Sequence, residues 1–224
     1  YNMKHGTKLL VAALLSCGSL QAQNVVPAYA IQGKDSTCQI FVYSPGEREG
    51  LHLAFLGDDE KWHEVGQLCA SDYGPWGSEK RMFDPFVTKA NDGTWRAVWA
   101  VNSTSPVFAA AYSEDLVTWR PQDYPVVREK GIHQPVVYQM GDGSFDIYFK
   151  TAKGKRYVQA TEDFRHFVED SLASEADGIL WQVDNAEVNG KSYKGNAFDV
   201  PAMHLNYIRS WFAALKKDSA MPRQ

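Results

Sequence analysis

The chain has 224 residues, of which 44% are hydrophobic and 13% aromatic, and its formal net charge at pH 7 is −4. This length is sufficient for one globular domain with a sizeable core, with or without a small appendage. No cluster of Lys and Arg interrupts the acidic balance, which argues against nucleic acid as a partner. The six His are scattered and the chain has no CxxC or HExxH motif, so we predict neither a metal site nor a cofactor.

Residues 1–22 have the pattern of a secretory signal peptide. Lys4 and Lys8 flank the start of a short apolar run, and Ala22 is a small residue at the expected cleavage point. The run is too short to span a bilayer, so the sequence predicts export without a membrane span. As an alternative, Leu14-Leu15-Ser16-Cys17 resembles a bacterial lipobox, which would place a lipid anchor on Cys17.

Two cysteines remain in the expected mature chain, Cys38 and Cys69. In an exported protein an even pair is compatible with a disulfide. Two free, buried thiols are the alternative, and the sequence leaves both open.

A repeat with a period near 50 residues organises the middle of the chain. The two clear copies match at two prolines and two glycines, each pair 50 positions apart: Pro85 and Pro135, Gly93 and Gly143. Each copy opens on an inner strand, passes an Asp-Gly turn, and ends at an aromatic residue, Trp119 or Phe167. Such a period, with three or four short strands per copy, is typical of β-propeller blades. With a weaker copy at residues 39–62, we predict three blades within residues 23–177.

Residues 178–224 predict a β-hairpin followed by an amphipathic helix. Strands at 179–188 and 192–200 flank Asn189-Gly190, a strong hairpin signal. Asp199 is the expected N-cap of the helix, which runs to about Lys217. The polar stretch before this segment, residues 169–177, is predicted to be a linker.

The candidate site lies where the inner strands of the blades begin, because side chains there point into a shared pocket. Asp84 and Gln134 hold corresponding positions in the two clear copies. The aromatic residues Tyr73, Trp76 and Trp99 are the candidate sugar contacts, since aromatic rings suit the C–H faces of sugars. As an alternative, Asp84 is structural and bonds nearby backbone ahead of Pro85.

The segment FDPFVTKANDGTWRAVWAV, followed by AAYSEDLVTW, resembles a blade of glycoside hydrolase family 43. That family consists of five-bladed propeller enzymes that release arabinofuranosyl or xylosyl units from plant polysaccharides. The resemblance implies that Asp84 is either the catalytic base or the Asp that tunes pKa and orients. It also implies an acidic Glu on another inner strand, but this chain has Gln134-Pro135 where relatives show a Pro-Glu pair. Glu187 is the remaining candidate for the acid.

Three functions are compatible with this pattern. A glycosidase generally needs two carboxyl groups across the scissile bond, and the three repeats offer one inner-strand carboxylate. We therefore expect an exported, non-catalytic, glycan-binding or accessory module of family-43 type that takes part in plant polysaccharide use. The alternatives are an active arabinofuranosidase or xylosidase, and a purely structural module that precedes a catalytic domain.

Overall fold

The computed structural model describes residues 36–70, 81–174, 177–181 and 183–220, and these are mostly β-strand with one helix. The predicted signal peptide lies outside the described residues. The strands are β1 (Thr37–Tyr43), β2 (Leu51–Leu56), β3 (Trp62–Cys69), β4 (Phe83–Lys89), β5 (Trp95–Ala100), β6 (Phe108–Ser113), β7 (Ile132–Gln139), β8 (Phe145–Thr151), β9 (Arg156–Thr161), β10 (Ser171–Leu172), β11 (Asp184–Val188) and β12 (Lys191–Pro201). The helix is α1 (Ala202–Ala220). The predicted all-β, propeller-like fold is confirmed.

The two clear repeats form two antiparallel sheets. One has the order β4-β5-β6, and the other has the order β10-β9-β8-β7. The inner strands β4 and β7 contact each other. β5 is buried along its whole length, as expected for the middle strand of a blade that is covered on both faces. Each repeat is therefore one blade.

The 50-residue period holds in the backbone as well as in the sequence. β4 carries a bulge between Phe83 and Phe86, and β7 carries the same bulge between His133 and Val136. In the first blade Phe83 pairs with Ala100, while in the second the corresponding residue His133 pairs with Lys150. Position 150 is thus the structural counterpart of position 100.

The turn after the third strand of each blade is held by the same hydrogen bonds. Asp115 Oδ1 accepts from the backbone N–H groups of Val117 and Thr118, at 3.0 and 2.7 Å. Asp163 Oδ1 accepts from the two corresponding groups at 2.9 and 2.8 Å. These aspartates close turns, in keeping with their position between strands.

The weak first copy does not form a separate blade. Its strands join the C-terminal hairpin in a closed sheet of order β1-β12-β11-β3-β2. β1 pairs with β12 from Thr37↔Pro201 to Tyr43↔Gly195, and Val188 pairs with Trp62 to close the ring. The predicted division at residue 177 stays a prediction, and strands from both sides of it share this sheet.

Two local expectations at the C-terminal end are wrong. Asp199 lies inside β12, where it pairs with Gln39, so it does not cap the helix. The stretch predicted as a linker contains β10, which pairs with β9 as the fourth strand of its blade. Just before β10, the buried carboxylate of Asp170 accepts the backbone N–H of Arg128 at 3.1 Å.

Helix α1 packs on the closed sheet through one apolar face. Leu205, Ile208 and Phe212 are buried, as expected for an amphipathic helix, whereas Leu215 is exposed. Phe212 lies so close to Gly66 of β3 that a Cβ there would be 2.5 Å from its ring. Within the described residues, no helix is both long and apolar enough to cross a bilayer.

Candidate functional site

Asp84 and Gln134 share an unusual backbone conformation at the heads of β4 and β7. Both have φ of +47°, the left-handed region that side-chain-bearing residues rarely adopt, and both precede a proline. Each sits in the bulge of its strand, where one residue is left out of the ladder. Such strain persists where surrounding structure enforces it, and it concentrates at functional sites.

The two strand heads meet at a hydrogen bond. The backbone N–H of Gln134 donates to Asp84 Oδ2 at 3.1 Å, across 50 residues of sequence. Both side chains are exposed. The bond fixes one oxygen of the exposed Asp84 carboxylate between the blades.

Lys150 completes this cluster from the end of β8. Its Nζ donates to Gln134 Oε1 at 2.7 Å and lies 4.4 Å from the ring centroid of Trp181, a cation–π contact. Partial burial of the ammonium lowers the pKa of Lys150, and the nearby Arg156 lowers it further, while Asp84 opposes both. Lys150 is therefore a partly desolvated cation beside the Asp84 carboxylate.

Two adjoining cavities open on either side of Asp84, and we call them together the cleft. The smaller one, of about 60 Å³, lies between the two strand heads and the segment before β11. The larger, of about 500 Å³, extends toward the loops after β5 and before β4. Most of the described residues that line the two cavities are polar or aromatic. Besides Asp84, these are Phe86, Gln134, Trp181, Lys194, Arg48, Arg81, Phe83, Asn102, Ser103, Thr104 and His133. The larger cavity has room for a sugar unit.

The rim of the larger cavity is held by local bonds. Arg81 Nη1 donates to Glu47 Oε1 at 2.7 Å, and the backbone N–H of Met82 donates to the Glu47 carbonyl at 2.8 Å. On the opposite side, Asn102 Oδ1 accepts from the backbone N–H groups of Thr104 and Ser105, at 2.9 and 2.7 Å. The loop bearing Ser103 is thus shaped before any ligand arrives.

Of the residues predicted to contact a sugar, some lie at the cleft, one is buried in the core, and two lie outside the described residues. Asp84 and Gln134 come together, as described above. Tyr73 and Trp76 lie outside the described residues. Trp99 is 0% exposed in the core of the first blade and lines neither cavity, so its ring does not face the cleft. Glu187 is exposed on β11 and is likewise not part of the described lining.

Sequence reasoning missed two residues of the cluster, Lys150 and Trp181. Lys150 had a signal, because the period places it opposite His133 at the strand head, where the other copy has Ala100. Trp181 fell inside a predicted strand, residues 179–188. The strand begins at Asp184, which leaves Trp181 in the preceding segment beside the cleft.

The chemistry available to the cleft follows from its side chains. Asp84 is the one carboxylate among the described lining residues, so a pair of carboxyl groups spanning a sugar bond is not found there.

Cys38 and Cys69 are free thiols. No group of three or more His, Cys, Asp and Glu suited to a metal occurs in the described parts of the chain.

Comparison with known proteins gives structural likeness alone. No family model and no curated protein matches the chain. One similar solved structure is a candidate exo-beta-1,3-galactanase from Bifidobacterium bifidum s17, at 16% identity and a TM-score of 0.44, covering 62% of this chain and 51% of that one. Another is an endo-1,4-beta-xylanase from Bacteroides thetaiotaomicron VPI-5482, at 20% identity and a TM-score of 0.42, covering 57% of this chain and 44% of that one. The chain thus spans about half the length of each.

Proposed function

We propose that this chain is a glycan-binding, non-catalytic module of a carbohydrate-active protein system. The observation that carries the proposal is the cleft at Asp84, which has polar and aromatic sugar contacts but one carboxylate in its described lining. Hydrolysis of a glycosidic bond generally needs two carboxyl groups, one as acid and one as base or nucleophile. Recognition of a sugar needs neither.

The geometry supports binding in specific ways. The Asp84 carboxylate is held by the Gln134 N–H at 3.1 Å and accepts hydrogen bonds from sugar hydroxyls on its free side. Because Lys150 occupies Gln134 Oε1, the Gln134 amide nitrogen is left to donate to a ligand. Trp181 supplies an aromatic surface at the same cavity, which suits the apolar face of a sugar ring.

An active glycosidase of family-43 type, releasing arabinofuranosyl or xylosyl units, is the second candidate. The strained backbone of Asp84, at an exposed strand head, favours it, because strain of this kind concentrates at catalytic sites. In that case Asp84 acts as base or orienting group, and the acid comes from outside the described lining. The third candidate, a purely structural module, does not account for the shaped and polar cleft.

The proposed setting is export and partnership with a catalytic domain. Export rests on the signal-peptide pattern of residues 1–22, with the lipobox at Cys17 as the alternative. The family-43 likeness of the blade motif supports plant polysaccharide as the source of the glycan. Expression in a Gram-negative host, followed by fractionation and N-terminal sequencing, tests the export: a start at Gln23 supports it, and an intact leader in the cytoplasm contradicts it.

Isothermal titration with arabino- and xylo-oligosaccharides tests the proposed function. Asp84→Asn keeps the acceptor for the Gln134 N–H but removes the charge, so we expect a folded variant that binds about tenfold more weakly. Asp58→Asn, an exposed residue of a turn in the first repeat, is the matched control and leaves affinity unchanged. Equal binding by both variants, or no binding of any oligosaccharide by the wild type, neutral or acidic, would contradict the proposal.

A further inference from the structure

The described side chains at the cleft carry a net positive charge, whereas the whole chain carries a net negative charge. We count the described side chains that line the cleft, or that bond or ion-pair with a lining side chain. Four are cations, Arg48, Arg81, Lys150 and Lys194, and two are carboxylates, Asp84 and Glu47. The cleft has a surplus of two positive charges on a chain whose formal net charge is −4.

Much of this positive charge has no counter-ion among the described residues. Arg81 has its counter-ion in Glu47, at 2.7 Å. Arg48 and Lys194 are exposed, and no carboxylate of the described residues pairs with either. Lys150 bonds a neutral amide oxygen and contacts the ring of Trp181, and its interaction with the nearby Asp84 is not a direct ion pair.

The surroundings of Lys150 disfavour its charged form. Its pKa is lowered by burial of the ammonium and by the neighbouring Arg156, although the Asp84 carboxylate raises it. A cation that is partly desolvated and close to a like charge is stabilised when an anion binds beside it. The corresponding position of the first blade is occupied by Ala100, so the repeat itself does not require a lysine there.

We propose that the glycan bound in the cleft carries anionic sugar units, and that Lys150 is the principal contact of the anionic group. This inference rests on the proposed glycan-binding function and narrows its ligand class. The anion, a uronic-acid carboxylate or a sulfate ester, binds on the Lys150 side, with Lys194 and Arg48 strengthening the field across the opening. Asp84 receives the neutral hydroxyls, because a carboxylate accepts hydrogen bonds from them but repels the anionic group.

The test is isothermal titration of the full chain with ligands matched in length. An oligogalacturonate, the same oligosaccharide after reduction of its carboxyl groups, a sulfated neutral oligosaccharide and a xylo-oligosaccharide are compared at low and high salt. We expect the preferred acidic ligand to bind about tenfold or more tightly than its neutral counterpart, with the preference falling at high salt. Comparison of the affinities for the oligogalacturonate and for the sulfated ligand shows whether the cleft prefers a carboxylate or a sulfate.

Variants locate the preference. Lys150→Gln removes the charge and keeps a similar length, so it should lower affinity for the acidic ligand about tenfold more than it lowers affinity for the neutral one. Lys191→Gln is the matched control, since Lys191 is exposed at the start of β12 and lines neither cavity. Equal affinity for neutral and acidic ligands, or loss with both lysine variants alike, would overturn the inference and leave glycan binding standing. Binding of none of the ligands would overturn glycan binding as well.

Discussion

Asn196 of β12 accepts a hydrogen bond from the backbone N–H of Val87 in β4, at 2.8 Å and out of contact with solvent. The bond joins the C-terminal hairpin to the inner strand that begins with Phe83 and Asp84. It lies three residues along β4 from the Asp84 carboxylate, so it helps to fix the strand that positions the cleft.

We therefore predict that Asn196→Ala destabilises the fold. The buried Val87 N–H would lose its partner, which costs about 1–3 kcal/mol in free energy of unfolding. Chemical denaturation followed by tryptophan fluorescence measures the change. Ser192→Ala, an exposed change in the same strand, should stay within about 0.5 kcal/mol of the wild type. Similar losses in both variants would show that the bond contributes nothing specific.

The two equivalent turn aspartates should differ in their coupling to the helix. Asp115 Oδ2 accepts from the Tyr207 hydroxyl of α1 at 3.0 Å, in addition to the turn bonds that it shares with Asp163. Double-mutant cycles with Tyr207→Phe should give about 1 kcal/mol of coupling for Asp115→Ala. The matched cycle with Asp163→Ala should give no coupling, because Asp163 lies in the other blade. Equal coupling in both cycles would contradict the helix contact.

The folded protein should lose stability in mild acid because of His204. Burial lowers the pKa of His204, and Lys89 lowers it further, although a bond of 3.0 Å to the Asp115 carbonyl raises it. The folded state therefore binds fewer protons than the unfolded chain, in which the pKa is about 6.5. This contribution to stability is complete above the unfolded pKa and is lost as the pH falls below it.

The measurement is the melting temperature of the wild type and of His204→Asn between about pH 7.5 and about pH 5.5. The wild type should lose more stability across this range than the variant, which has no group to protonate at that position. Parallel curves for the two proteins would show that His204 does not titrate differently on folding.

Local signals in the sequence predicted two of the three expected blades, while the first copy joins the closed sheet instead. The repeat at Pro85 and Pro135 recurs in the bulges of β4 and β7. These features depend on alternation, turn residues and period, all of which lie within about 50 residues of one another.

The rest depended on contacts between distant parts of the chain. The pairing of Thr37 with Pro201 closes a sheet that no local pattern indicates, and it draws Asp199 into a strand instead of a cap. At the cleft, Asp84 and Gln134 were predicted from their shared position in the repeat. Trp181 reaches the cleft only because the chain returns there before β11, which cannot be derived from spacing.

The most direct test of the central claim is an NMR titration of the tryptophan indole groups with an oligosaccharide, with Trp181→Phe assigning the signal of that residue. On binding, the Trp181 indole signal should shift, the signal of the buried Trp99 should not, and the oligosaccharide signals should stay unchanged over time. A saturating shift elsewhere with none at Trp181, or the growth of signals from new reducing ends, would contradict a non-catalytic binding cleft at Asp84 and Gln134.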